Sequence, residues 1–133
     1  MAAGQGLRTV GLVLAGGAGR RLGGPKALLR CGPLSFAEHA ARLLERPGVE
    51  RVLVVLGHEA ERVLREAGLS PRFEVLVNPD PERGMLSSLL CGLERAERLG
   101  GEALLAHPVD HPFVDPGTVE RVLAALQRGA TVA

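Results

Sequence analysis

The residue types with most chemistry to offer lie in one segment, Leu14-Ala-Gly-Gly-Ala-Gly-Arg20-Arg-Leu-Gly-Gly-Pro25-Lys26, directly after the apolar run Val10 to Leu14. Lys26 is the only lysine; every other one of the 16 basic side chains is arginine. An ammonium is a compact point charge that can approach a single phosphate oxygen, where a guanidinium is a wide planar fork. Glycines let backbone N–H groups reach anionic oxygens without a Cβ in the way. The segment therefore reads as an anion-binding loop with its lysine directed at phosphate. A turn with no ligand, and a lysine left by chance in an arginine-biased composition, are the plain alternatives.

Spacing separates this loop from two common phosphate binders. A P-loop needs G-x-x-x-x-G-K-[ST]; Gly19 and Gly24 have that spacing, but Pro25 intervenes and Ala27 follows the lysine, leaving no hydroxyl for magnesium. A dinucleotide fingerprint needs G-x-G-x-x-G, and Gly17-Ala-Gly19-Arg-Arg-Leu22 lacks the third glycine.

Two more segments carry candidate groups. Asp110 falls in His107-Pro-Val-Asp110-His111-Pro112 after an apolar run. A carboxylate at a strand end can hold a magnesium ion that bridges triphosphate oxygens, or simply cap a turn. Zinc is a poor fit to His107, Asp110 and His111, because prolines interrupt the ligands and no second cluster completes four. The other segment is Asn78-Pro-Asp80-Pro-Glu82-Arg83-Gly84-Met85-Leu86-Ser87-Ser88. It reads as a shaped loop ending at a serine-capped helix, whose free N–H groups could meet an anion or a base edge. Asn78 and Ser87 or Ser88 are candidates there; Ser87 reads equally well as the helix cap alone. Asp80 and Glu82 read as solvated loop charges, and His39 and His58 as surface residues on helical patterns.

These groups need a frame, and the pattern supplies one. With 133 residues and 46% hydrophobic content the chain suits one domain, spanning residues 1–133, around an aliphatic core; its only aromatics are three phenylalanines. A net charge of +1 with interleaved signs, and no aromatic platform, argue against nucleic acid. No run approaches the roughly 20 apolar residues of a membrane span, and the first residues lack a signal-peptide pattern. Cys31 and Cys91 have no metal spacing and suit reduced thiols in cytoplasm. Continuous apolar runs near Thr9–Leu14, Arg51–Leu56, Phe73–Val77 and Glu102–Ala106 read as strands covered on both faces. Helices are expected between them. One starts at the Ser35…Glu38 capping box. Another spans Glu59 to Ala67, with Val63, Leu64 and Ala67 inward. A third spans Ser87 to Leu99, with Leu89, Leu90, Leu93 and Ala96 inward. The last runs from Asp115-Pro116 through Leu126. This alternation predicts an α/β three-layer Rossmann-like sandwich with a mostly parallel sheet and right-handed crossovers. Ala130-Thr-Val-Ala133 reads as the start of a further strand, so the fold is expected to be incomplete at its C-terminal end.

The string L-A-G-G-x-G-x-R-x-G-x-x-K resembles the signature loop of nucleotidyltransferases that consume a nucleoside triphosphate and release pyrophosphate. More narrowly, it is similar to the family that joins CMP or GMP to molybdopterin phosphate in molybdenum cofactor maturation. That resemblance implies a nucleotide-diphospho-sugar-transferase-like fold and a loop that wraps the triphosphate. Leu14, Ala15 and Gly16 would lie against base and ribose, with Gly17 and Gly19 in the phosphate-wrapping turn. Arg20 and Lys26 would carry phosphate charge, Asp110 would hold Mg2+, and Asn78 and Ser87 would contribute to nucleotide recognition. Arg20, Lys26 and Asp110 are then the catalytic set. The implied partners are CTP or GTP, a molybdopterin-type acceptor, and a molybdoenzyme or its chaperone. Leu14-Ala-Gly-Gly resembles the guanylyl branch, whereas Gly84-Met-Leu-Ser-Ser and His107-Pro-Val-Asp-His-Pro resemble the cytidylyl branch, and the balance leans slightly to cytidylyl. A sugar-1-phosphate nucleotidyltransferase shares the loop, and a non-catalytic nucleotide-binding domain is the reading from another class.

Overall fold

The computed structural model describes residues 7–18, 24–111 and 113–129. Gly19 and Arg20 of the glycine loop, and the Ala130–Ala133 strand expectation, lie outside them.

Four parallel strands form the centre: β1 (Thr9–Ala15), β4 (Val49–Leu56), β5 (Glu74–Val77) and β6 (Ala103–Pro108), in the order β5-β4-β1-β6. A two-residue antiparallel pair, β2 (Arg30–Cys31) and β3 (Leu34–Ser35), turns through Gly32 and leads into the first helix. The expected strands all form, displaced by one or two residues at their ends. β1 is buried throughout because helices cover both of its faces. Val13, Ala15, Val52, Val54 and Leu56 point into one apolar layer with α1 (Phe36–Leu44), α2 (Ala60–Glu66) and α4 (Pro116–Gln127). Val10, Leu12, Leu14, Leu53 and Val55 alternate into a second layer, against α3 (Met85–Arg98). The chain winds from β1 through β4 to β5 and returns to β6 on the far side of β1. That reversal puts a crevice at the carboxyl end of β1.

The helix ends show why these segments stop and start where they do. Ser35 caps α1 by accepting the Glu38 N–H at 3.1 Å. The reciprocal half of the capping box does not form. Buried Glu38 instead accepts from Arg42 Nε at 2.8 Å and from the N–H and hydroxyl of Ser70 at 2.8 and 2.5 Å, which ties α1 to the loop after α2. Asp115 caps α4 by accepting from the Gly117 N–H, with Pro116 at the first helical position.

Two helical faces differ from expectation. α3 starts at Met85, two residues early, with Gly84 rather than a serine at its N-cap. Its buried residues are Ser88, Gly92 and Ala96, whereas Leu90 and Leu93 are 54% and 39% exposed. The reason is clearance: a Cβ on Gly92 would collide with the Leu12 side chain, so only small residues let α3 settle on β1. In α2, Val63 and Ala67 are buried as expected, but Leu64 is 49% exposed. No helix among the described residues is long and apolar enough to cross a membrane.

Candidate functional site

The four parallel strands deliver four loops to one edge of the sheet, and these line a cavity of about 410 Å³. β1 ends in Gly16-Gly17-Ala18, and the loop re-enters at Gly24 before a single 3-10 turn, Lys26–Leu28. β4 supplies Gly57 and His58, β5 leads to Pro81 and on to Met85 and Ser88, and β6 leads to Val109 and Asp110. Leu14, Gly16, Lys26, His58, Ser88 and Asp110 are all in the wall.

Backbone packing explains two of the glycines. The His58 N–H donates to the Gly16 carbonyl at 3.1 Å, and the Val109 N–H to the Leu14 carbonyl at 3.0 Å, so the end of β1 is pinned from both sides. A Cβ on Gly16 would lie 2.9 Å from Ser88 Oγ; one on Gly57 would lie 2.9 Å from the Gly16 carbonyl oxygen. At Gly57 a side chain would press on backbone, whereas at Gly16 the Ser88 hydroxyl would have to turn aside. Gly17 is different: a Cβ there would meet nothing within 4 Å among the described residues. The turn after β4 is strained, with Glu59 at φ 54° in the left-handed region. Arg62 anchors that residue through its carboxylate and lies against Gly24 of the glycine loop.

The charged centre of the cavity joins residues far apart in sequence. Lys26 Nζ donates to Asp110 Oδ2 at 3.0 Å, with the two side chains 43% and 42% exposed. The turn that presents Asp110 is held by His107, whose Nε2–H donates to the His111 carbonyl at 2.5 Å. Burial pushes the His107 pKa below its usual value despite that bond, so the ring stays neutral near pH 7. The described residues contain no group of three His, Cys, Asp or Glu side chains suited to a metal.

The Asn78 segment has a supporting place. Asn78 is buried beneath the wall, and its amide donates to Ser87 Oγ at 2.8 Å and Ser88 Oγ at 3.1 Å, while its Oδ1 accepts the Asp80 N–H. Ser87 is the third residue of α3, not its cap, and its hydroxyl returns to the Gly84 carbonyl at 2.7 Å. Of these three only Ser88 reaches the cavity wall. Thus Leu14, Ala15, Gly16, Gly17, Lys26 and Asp110 come together, and Asn78 and Ser87 stand one layer behind.

His58, Met85 and Val109 are wall residues that the sequence reading did not select. His58 was read as a helix-surface residue, yet it precedes α2 at the carboxyl end of β4. The rule that ligands gather at those strand ends was the available signal. Burial, then Glu94, pushes the Cys91 thiol pKa up, which disfavours the reactive thiolate.

One or two carboxylates without histidine or cysteine partners suit magnesium better than zinc. Magnesium is commonly held by one or two carboxylates with the remaining positions filled by phosphates and water. Asp110 fits, since its oxygen already faces a cation at the edge of an open cavity.

Comparison with known proteins agrees with this geometry. A family profile described as "MobA-like NTP transferase domain" matches residues 11–133. A molybdenum cofactor guanylyltransferase of Rhodobacter capsulatus is 37% identical over 122 residues, 90% of this chain and 60% of that protein. A nicotine blue oxidoreductase of Paenarthrobacter nicotinovorans is 40% identical over 120 residues, 90% of this chain and 57% of its own length. The solved structure of a nucleotidyl transferase from Methanothermobacter thermautotroptrophicus superposes with a TM-score of 0.74 at 27% identity, covering 88% of this chain and 57% of that one. The chain therefore spans roughly three-fifths of the length of the curated relatives it matches.

Proposed function

The chain belongs to the MobA-like NTP transferase domain family, and on that premise we propose that it transfers a nucleoside monophosphate from a nucleoside triphosphate to a phosphate-bearing acceptor, with release of pyrophosphate. The observation that carries this reading is the Lys26–Asp110 pair: groups 84 positions apart meet at 3.0 Å beside a glycine-lined cavity at the carboxyl edge of the sheet. The relatives named guanylyltransferases favour GTP as donor, and molybdopterin as acceptor follows from the same names. CTP is the competing donor.

In this reading the acceptor phosphate attacks the α-phosphorus in line and the α–β bridging oxygen leaves with pyrophosphate. The nucleophile is already anionic, so no strong general base is needed; the barrier lies in bringing like charges together. Fixed donors and cations lower it. Gly16, Gly17 and Ala18 offer backbone N–H groups, Lys26 carries phosphate charge, and Leu14, Ala15 and Ser88 border the nucleoside. Arg20 is assigned to the phosphates by the loop pattern. Asp110 would hold the Mg2+ ion, which neutralises phosphate charge when bound. Asn78 and Ser87 act indirectly, by holding Ser88 in the wall.

Pyrophosphate release from each nucleoside triphosphate, with a molybdopterin-type acceptor, tests the proposal. Release with one nucleotide, lost in Asp110→Ala, is the expected result. Nucleotide binding without release would make the chain a binding domain instead. Release with a sugar 1-phosphate alone would move it to the sugar-nucleotide branch.

A further inference from the structure

The Lys26–Asp110 ion pair has a consequence for the order in which ligands arrive, and it rests on the function proposed above. Both groups belong to the same site, yet in that function they serve different charges, Lys26 the phosphates and Asp110 a divalent cation. Here each is the other's partner at 3.0 Å, and among the described residues neither has another hydrogen bond or ion pair. We propose that Lys26 is the resident counter-cation of Asp110, so that Asp110 accepts a divalent metal only together with a nucleoside triphosphate.

The argument is electrostatic. One carboxylate faces two candidate cations. A metal ion approaching alone meets an ammonium already seated on the oxygen it needs; Glu82 lines the same cavity, but the described residues hold no group of three ligating side chains to offset that repulsion. A metal arriving on a triphosphate brings its own oxygen ligands, and the phosphates give Lys26 a new partner as it leaves Asp110. Exchange is cheap because the pair is half exposed, and exposed pairs are worth about 1 kcal/mol or less. Lys26 sits on a single 3-10 turn, and its four-carbon stem lets the ammonium swing between carboxylate and phosphate. A guanidinium held bidentate on the carboxylate would exchange less readily. This gives the chain's only lysine a reason beyond phosphate contact. Metal and nucleotide then bind with positive coupling, which by linkage must be equal in both directions.

The test uses Mn2+ as the metal probe, followed by the electron paramagnetic resonance signal of the free ion. The full chain is titrated as wild type, Lys26→Met, Lys26→Gln and Asp110→Asn, with and without an α,β-methylene analogue of GTP. Wild type is expected to bind Mn2+ alone weakly. Both lysine variants should bind it about tenfold more tightly, the effect of removing one like charge. The analogue should tighten Mn2+ binding strongly in wild type and much less in either lysine variant. Combining Asp110→Asn with Lys26→Met should abolish the gain. Equal Mn2+ affinity in wild type and the lysine variants, with analogue binding still dependent on Asp110, would overturn the exchange and leave the nucleotidyltransferase reading standing. A gain that survives Asp110→Asn would overturn it too, since the ion would then sit elsewhere. If the analogue binds no form of the protein, with or without Mn2+, the functional reading itself fails.

Discussion

At the amino edge of the sheet, a cavity of about 750 Å³ is lined by charges that already have partners. Arg72 grips Glu45 through two bonds of 2.6 and 2.8 Å, and Arg51 and Arg95 converge on Glu74. At the carboxyl edge, a cavity of about 410 Å³ is walled largely by glycines, backbone and small side chains around one half-exposed ion pair. Volume alone would choose the wrong end. The amino-edge arginines hold the Glu45 and Glu74 pKa values below their usual value, Arg72 acting on one and chiefly Arg95 on the other. Those charges are spent on joining the starts of β4 and β5 to α1 and α3. At the carboxyl edge, backbone N–H groups and one exchangeable cation stay available to a ligand. The contrast teaches that a site is marked by groups whose best partner is still to come.

The contrast can be broken at either end. The largest effect is expected from Lys26→Ala, which should lower turnover by about 100-fold or more, with Lys26→Arg giving no rescue. Arg72→Ala at the larger cavity should leave turnover within about twofold, as expected for an exposed pair remote from the chemistry. Turnover for Lys26→Ala within a few-fold of wild type, measured by pyrophosphate release, would remove the distinction.

Next in size is Gly57→Ala, which pushes a methyl against the Gly16 carbonyl and Pro81. Forced overpacking costs about 1–3 kcal/mol, or about tenfold or more in nucleotide affinity if the loop after β1 shifts. Calorimetry would read that loss, with circular dichroism confirming the fold. Gly17→Ala should be sterically harmless in the free protein, so any affinity it loses reports ligand contact at that open position.

Asn78→Ala sharpens the division between wall and support. It leaves two serine hydroxyls and the Asp80 N–H without their amide partner, a cost of about 1–3 kcal/mol in urea unfolding. A nucleotide contact without a structural role would instead lower affinity at unchanged stability.

The smallest expected effect is on acid stability. Burial alone would raise the Glu38 pKa, but its bonds to Ser70 and Arg42 win, and the carboxylate is held below its ordinary value. A folded-state pKa below the unfolded one contributes stability above the unfolded value, about 4.3, that is lost as pH falls through the folded value. Glu38→Gln should therefore be less stable near pH 7 by about 1–2 kcal/mol, and the difference should shrink below about pH 4 in parallel urea titrations. A constant difference across that range would show that packing, not charge, carries the effect.

The strands were legible because each is a short continuous apolar run, although burial on both faces holds only for β1 and the second half of β4, the edge strands β5 and β6 being half-exposed; the caps of α1 and α4 were legible from Ser35 and Asp115. The inward face of α3 was not. Leu90 and Leu93 carry the stronger helical pattern, but the clearance over Leu12 decides for Ser88, Gly92 and Ala96, and that clearance exists only after β1 is in place. Lys26 was selected as the lone lysine of a glycine-rich loop and Asp110 as a carboxylate at a strand end, and the converging ends of a parallel sheet bring them to one edge. Their direct contact was not legible, since it depends on side-chain reach across 84 positions. Asn78 was selected for a loop signature and is present for a buried hydrogen-bond network, a role that sequence spacing does not distinguish from ligand contact.

If the carboxyl-edge cavity is a triphosphate site, calorimetric titration of CTP, GTP, ATP and UTP, with and without Mg2+, on wild type and Asp110→Ala, will show it. Magnesium-dependent binding of one nucleotide to wild type, lost in the variant, is the expected result. Absence of binding for every nucleotide, or binding indifferent to both magnesium and Asp110, would contradict it.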